Sequence, residues 1–260
     1  MCESSLKRNG DQMRTSNPAL NDKTFKDFSG YSTASGTMTI NGTVNKTFLM
    51  LVLALFPAGW MWSRFFDSGD PAAVLPGLVI GGIGGFVVAM VTVFKKQWAM
   101  ITAPMYAILE GFMLGGISAI FEAQYPGIVV QAVSLTFFIL MSLLFAYKSG
   151  LIKVTDNFRL GVVAATGGIA MVYVASFILG FFGIPLSFIH SSGMFGIGFS
   201  LFVVVIAAMN LVLDFDFIEK GASSGVPKFM EWYAAFGLMV TLVWLYLEIL
   251  RLLAKLRDRR

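Results

Sequence analysis

MFGIGFSLFVVVIAAMNLVLDFDFIEKG, residues 194–221, is the stretch on which the fold turns. From Met194 to Leu213 it carries no charge. A run of that length, at ~1.5 Å rise per residue, covers a bilayer core of about 30 Å. Asp214, Asp216, Glu219 and Lys220 then arrive while the pattern still reads as helix. Charge at the end of a span is the ordinary way out into water, but Asp214 comes before the run has finished. It is either a terminator or a working carboxylate.

Six further apolar runs accompany this one, and the seven cover 46–64, 72–94, 98–121, 128–147, 159–183, 194–218 and 230–253. Of the 260 residues, 57% are hydrophobic and 13% charged, where a soluble domain is nearer half and a quarter. Mean hydropathy is +0.76. The expected fold is an all-α integral membrane protein, a seven-transmembrane-helix bundle over residues 46–256. Residues 1–45 are rich in Ser, Thr, Asn, Lys and Asp and read as a disordered cytoplasmic tail; residues 257–260 form a short basic tail. No cleavable signal is expected. Asn41-Gly-Thr43 and Asn45-Lys-Thr47 match a glycosylation pattern short enough to arise by chance.

The net charge of +4 is accounted for by tails and loops facing water and anionic lipid, so no nucleic-acid partner is expected. Lys46, Lys95, Lys96, Lys148, Lys153, Arg159, Lys220 and Lys228 fall on one side if every run crosses; Arg64, Asp67, Asp70 and Glu122 fall on the other. This puts the N-terminus in the cytoplasm. The basic C-terminus, with Arg251, Lys255, Arg257, Arg259 and Arg260, then lies outside. Either it is an exception, or one run is re-entrant.

Gly77, Gly81 and Gly85 recur every four residues in the second run, and Gly111 and Gly115 repeat the spacing in the third. Close helix packing explains them; the sharper alternative is a weakly tied helix that moves as a gate. Enzyme signatures are missing. There is no HExxH, no Cys/His cluster and no phosphate loop; His190 is the only histidine and Cys2 the only cysteine. Gly221-Ala-Ser223-Ser-Gly225 matches a nucleophile elbow in letters but follows no strand. Neither an enzyme nor a bound cofactor is expected.

What remains is carboxylates. Ionisable groups inside a bilayer are costly and face cavities or partners. Glu110 lies deep in the third run and Glu248 lies in the seventh. Asp214 follows Asn210 by one turn, which puts both on one helix face. Asp216 lies on nearly the opposite face with Lys220 four residues on, and with Glu219 it reads first as an interfacial ion pair. Glu248 has Arg251 three residues on and reads equally as a salt-bridged helix end. Hard cations such as Ca²⁺ take oxygen ligands, and a proton competes with the cation for a carboxylate removed from water. A pH-sensitive cation path is the chemistry these residue types offer.

Three stretches resemble the Bax inhibitor-1 family, including its bacterial YccA-like members. Asp214-Phe-Asp-Phe-Ile218-Glu-Lys-Gly221 resembles the family's sixth-helix ending. LYLEILRLL, 245–253, resembles the last-helix pattern, with Glu248 where the family has Asp. LEGFMLGG, 109–116, resembles the third-helix glycine motif. The resemblance implies seven helices with the last one central, and a Ca²⁺ leak controlled by pH through acidic residues on the last two helices. Carried over, Asp214 and Glu248 are the sensor pair and candidate Ca²⁺ ligands, with Glu110, Asp216 and Asn210 along the cation path. Lys95, Lys96 or Arg251 would be a basic latch. Some bacterial members modulate a membrane-bound AAA protease, which gives the alternative: a non-conducting regulator whose tail holds a partner. The expected location is a bacterial inner membrane, in contact with lipid; oligomeric state is left open.

This chain departs from the pattern in its spacing. Asp214 and Glu248 are separated by a tight loop and lie at unequal distances from it, on the order of 10 Å and 30 Å. A simple hairpin does not bring them level.

Overall fold

The computed structural model describes residues 36–183 and 191–259; His190 and the tail up to residue 35 lie outside them. Seven helices are long and apolar enough to cross a membrane. They are α1 (Ile40–Ser68), α2 (Leu75–Phe94), α3 (Ala99–Gln124), α4 (Ile128–Lys148), α5 (Asp156–Phe181), α6 (Met194–Ser223) and α7 (Met230–Asp258). The chain is an integral membrane protein.

Local chemistry sets the ends. α1 starts at Ile40, inside the stretch read as tail, because the Thr39 side chain accepts the Gly42 N–H at 2.9 Å and caps the helix. At its far end Gly69 takes a left-handed φ of 65° and donates back to Phe65 O. Thr155 caps α5 in the same way as Thr39 caps α1, through the Phe158 N–H. α6 runs to Ser223, past the cluster of charges after Leu213, and Asp216 and Lys220 stay on one face there as an i,i+4 pair.

The glycine spacing is a packing device. A Cβ on Gly111 would sit 2.3 Å from Ala54 O, and one on Gly115 2.5 Å from Ala58 Cα, so α1 and α3 touch backbone to backbone. On the other side of α3, a Cβ on Gly81 would sit 2.6 Å from Leu109 O of α3. α2 is held to the bundle through this seam.

α6 and α7 form a hairpin, and α7 also packs on α1, α3 and α4. The ends of the bundle are identified by cross-links. Thr39 and Lys46 at the start of α1 meet Glu231 at the start of α7. At the other end, Arg257 donates to Pro126 O in the α3–α4 turn and Tyr125 donates to Asp258. The described chain therefore begins and ends at opposite ends of the bundle.

Candidate functional site

Among the described residues five carboxylates are buried inside the bundle: Glu110, Asp214, Asp216, Glu231 and Glu248. Glu110 sits in a stretch that is apolar on both sides of it, so packing of the neighbours carries the acid inward.

Measured by helix rise from the end where α1 begins, these groups form a ladder. Asp214 lies about 14 Å in, Glu110 about 17 Å and Glu248 about 27 Å. α6 and α7 are antiparallel neighbours, so Asp214 and Glu248 are offset by about 13 Å along the hairpin. The longer α6 narrows the gap expected from sequence without closing it. Among the described residues no cluster of three or more His, Cys, Asp or Glu side chains is placed to hold a metal ion. The geometry presents single carboxylates in series.

Glu248 is 1% exposed. Its Oε1 accepts from Arg251 Nη1 at 2.8 Å and from the Tyr173 hydroxyl of α5 at 2.9 Å. Its Oε2 has no hydrogen-bond partner among the described residues. The Arg251 guanidinium lies over the Tyr173 ring, 5.7 Å from its centroid. Further out, Lys255 donates to Gly196 O at 3.1 Å and to Ser200 Oγ at 2.8 Å.

Glu110 is 7% exposed. The Tyr106 hydroxyl, one turn back on α3, faces its carboxylate, and its Oε2 has no hydrogen-bond partner among the described residues. It faces α2 at a glycine: a Cβ on Gly85 would lie 3.4 Å from Glu110 Oε1. Tyr106 packs edge-on to Phe236 at 5.0 Å, which links this position to α7.

Asp214 is 1% exposed. Asn210, one turn before it, donates to Thr166 Oγ1 of α5 at 2.9 Å and to Ile206 O at 2.8 Å. Asp216 accepts from Arg159 Nη2 and from Lys220 Nζ, both at 2.9 Å. The expected lysine pairing is present, and a buried arginine from α5 is added to it. Glu219 accepts from the Tyr147 hydroxyl of α4. Among the candidate latches, Arg251 is on Glu248, Lys96 lies 6.0 Å from the centroid of the Tyr233 ring on α7, and Lys95 caps α2 in an exposed position.

Sequence reasoning passed over Glu231 and Arg159. Glu231 is 1% exposed, ion-paired with Lys46, and accepts from Thr39 N at 3.0 Å and Thr39 Oγ1 at 2.9 Å. An acid in a first helical turn looks like an ordinary dipole partner, and Lys46 and Arg159 look like loop charges. At the far end of the bundle, the Asp258 carboxylate beside Tyr125 raises the phenol's pKa above its ordinary value.

A family model described as Bax inhibitor 1 like matches residues 17–258. No curated protein sequence matches the chain significantly.

Proposed function

Because the chain belongs to the Bax inhibitor 1 like family, we propose that it is a pH-sensitive leak channel for cations, with Ca²⁺ as the principal substrate. Asp214, Glu110 and Glu248 are the stations, acting as ligands and proton acceptors, not as catalysts. The observation that carries this reading is their burial: three acids, each more than nine-tenths shielded, inside membrane-spanning helices. Their stagger suits stepwise passage better than tight capture, since conduction requires sites weak enough to leave. Arg251 on Glu248 is the natural latch: a cation approaching Glu248 competes with the guanidinium. Asn210 and Asp216 support the path from α6. The site resides in a bacterial inner membrane with the N-terminus cytoplasmic, the side favoured by the lysines of the loops.

A second reading has its own support. Residues 36–39 are tied to the α6–α7 loop: Met38 N donates to Val226 O at 2.8 Å and Lys228 N to Gly36 O at 3.1 Å. Residues 36–39 are thereby held beside the start of α7, a place from which a regulator would engage a membrane AAA protease. Ca²⁺ flux into proteoliposomes, with the whole chain and with residues 1–35 removed, separates the two. The leak reading predicts flux from both. Absence of flux from folded whole protein, with partner binding lost on truncation, favours the regulator.

A further inference from the structure

Between α1, α3, α4 and α7 lies a groove of about 500 Å³. It reaches the central part of the bundle at Met239, Leu242 and Val243 of α7. Its mouth is formed by Leu55 of α1 and by Val133 and Phe137 of α4, all exposed on the bundle's outer face. No charged residue lines it. Small side chains make the room: Ala54, Ala58 and Gly59 of α1 face it, and a Cβ on Gly59 would meet nothing within 4 Å.

One polar feature breaks the apolar wall. The hydroxyls of Ser118 (α3) and Tyr246 (α7) are hydrogen-bonded to each other at 2.6 Å, buried from water. Two hydroxyls carry two hydrogens, and this bond uses one. Among the described residues neither hydroxyl makes a second hydrogen bond. The buried threonines, by contrast, spend theirs locally, as Thr136 does on Ala132 O at 2.8 Å.

Depth gives the groove a direction. From the end where α1 and α7 begin, Met239 lies about 14 Å along its helix, Tyr246 about 24 Å and Ser118 about 28 Å along theirs. α7 is about 43 Å long, longer than a hydrocarbon core of about 30 Å, so the groove runs from the near side of the bilayer middle toward the far head-group region. Its hydrogen-bond donor lies on the far side of the middle and its apolar toe on the near side. A phospholipid of that leaflet has the same order: an ester carbonyl above, an acyl chain below. Water is not available there to fill such a groove, and an empty one forfeits dispersion contacts along its whole lining.

We infer that this groove is a binding site for one acyl chain of a membrane phospholipid from the leaflet opposite the N-terminus. The ester carbonyl accepts from the Ser118–Tyr246 pair, and the chain runs between α1 and α4 onto α7. The site touches the helix that carries Glu248, two residues beyond Tyr246, so lipid composition acts directly on its packing.

The test is photo-crosslinking of the whole protein in vesicles containing phospholipid with a diazirine in one acyl chain, read by peptide mass spectrometry. Met239, Leu242, Val243 and Tyr246 are buried and face the groove, so label on these four reports a chain inside it. Such label is expected. It should fall several-fold in Gly59→Phe, whose Cβ has open space and whose ring would enter the groove, while label at Phe177 on the outer face of α5 stays constant. Ser118→Ala should weaken the α7 label without changing Phe177. An unlabelled α7, or equal α7 labelling in wild type and a folded Gly59→Phe variant, overturns the proposal. So does α7 label obtained only with a diazirine free fatty acid.

Discussion

Arg159 of α5 and Asp216 of α6 form an ion pair of 2.9 Å in which both side chains are buried. Lys220 joins the same carboxylate oxygen from a far more exposed position. Removing Arg159 strips Asp216 of its buried partner and leaves it only the more exposed Lys220, so the cost approaches, without exceeding, the about 3–5 kcal/mol of a broken buried pair. Loss of a half-exposed partner costs at most about 1 kcal/mol. Arg159→Ala should therefore lower the thermal midpoint of the detergent-solubilised protein strongly, and Lys220→Gln only slightly. Similar shifts for both would show that α5 is not anchored by this pair.

The crossing of α1 and α3 depends on two glycines. Gly111→Leu and Gly115→Val each force a side chain into backbone at 2.3–2.5 Å. Overpacking of a well-filled contact costs about 1–3 kcal/mol, and more where backbone must move. Both variants should show reduced yield of monodisperse protein, whereas Gly59→Ala should not. Normal yield of Gly111→Leu would mean the seam can open.

Glu231, Thr39 and Lys46 clasp the start of α1 to the start of α7. The same strap holds the α6–α7 loop through Met38 and Lys228. Glu231→Ala should free the loop, and limited trypsin cleavage after Lys228 should quicken several-fold relative to wild type. Unchanged cleavage would place the strap's stability in Met38, buried in the core, and not in the carboxylate.

Arg251 is half exposed while its partner Glu248 is buried. If the guanidinium is the latch, Arg251→Gln should raise basal cation flux and leave the fold intact. Arg251→Lys should restore part of the block, because the charge remains while the fork and the stacking on Tyr173 are lost. Flux lower than wild type in Arg251→Gln would instead make the arginine a structural counter-ion.

The helices were legible because each apolar run is long and bounded by turn residues or charge. Their ends were not, where a side chain spoke for the backbone: Thr39 begins α1 within a polar stretch, and the Asp216–Lys220 pairing lets α6 continue among charges. The buried acids Glu110, Asp214 and Glu248 stood out against apolar neighbours. Their partners did not. Tyr173 lies 75 residues from Glu248, Arg159 57 residues from Asp216, and Lys46 185 residues from Glu231. No local pattern encodes contacts made by packing distant helices. The Ser118–Tyr246 pair was invisible for the same reason, since a serine near a glycine-rich seam and a tyrosine in an apolar run each look like ordinary filling.

The most direct measurement is Ca²⁺ flux into proteoliposomes between about pH 6 and about pH 8, since a proton and a cation compete for the same carboxylate oxygens. Wild type is compared with Asp214→Asn and Glu248→Gln. The account predicts flux that changes with pH in wild type, and a flattened dependence in each variant. Because the two acids are about 13 Å apart along the hairpin, the double variant should combine the two effects, as distant sites do. Absence of flux at every pH from folded wild-type protein, or a pH dependence untouched by both substitutions, would contradict it.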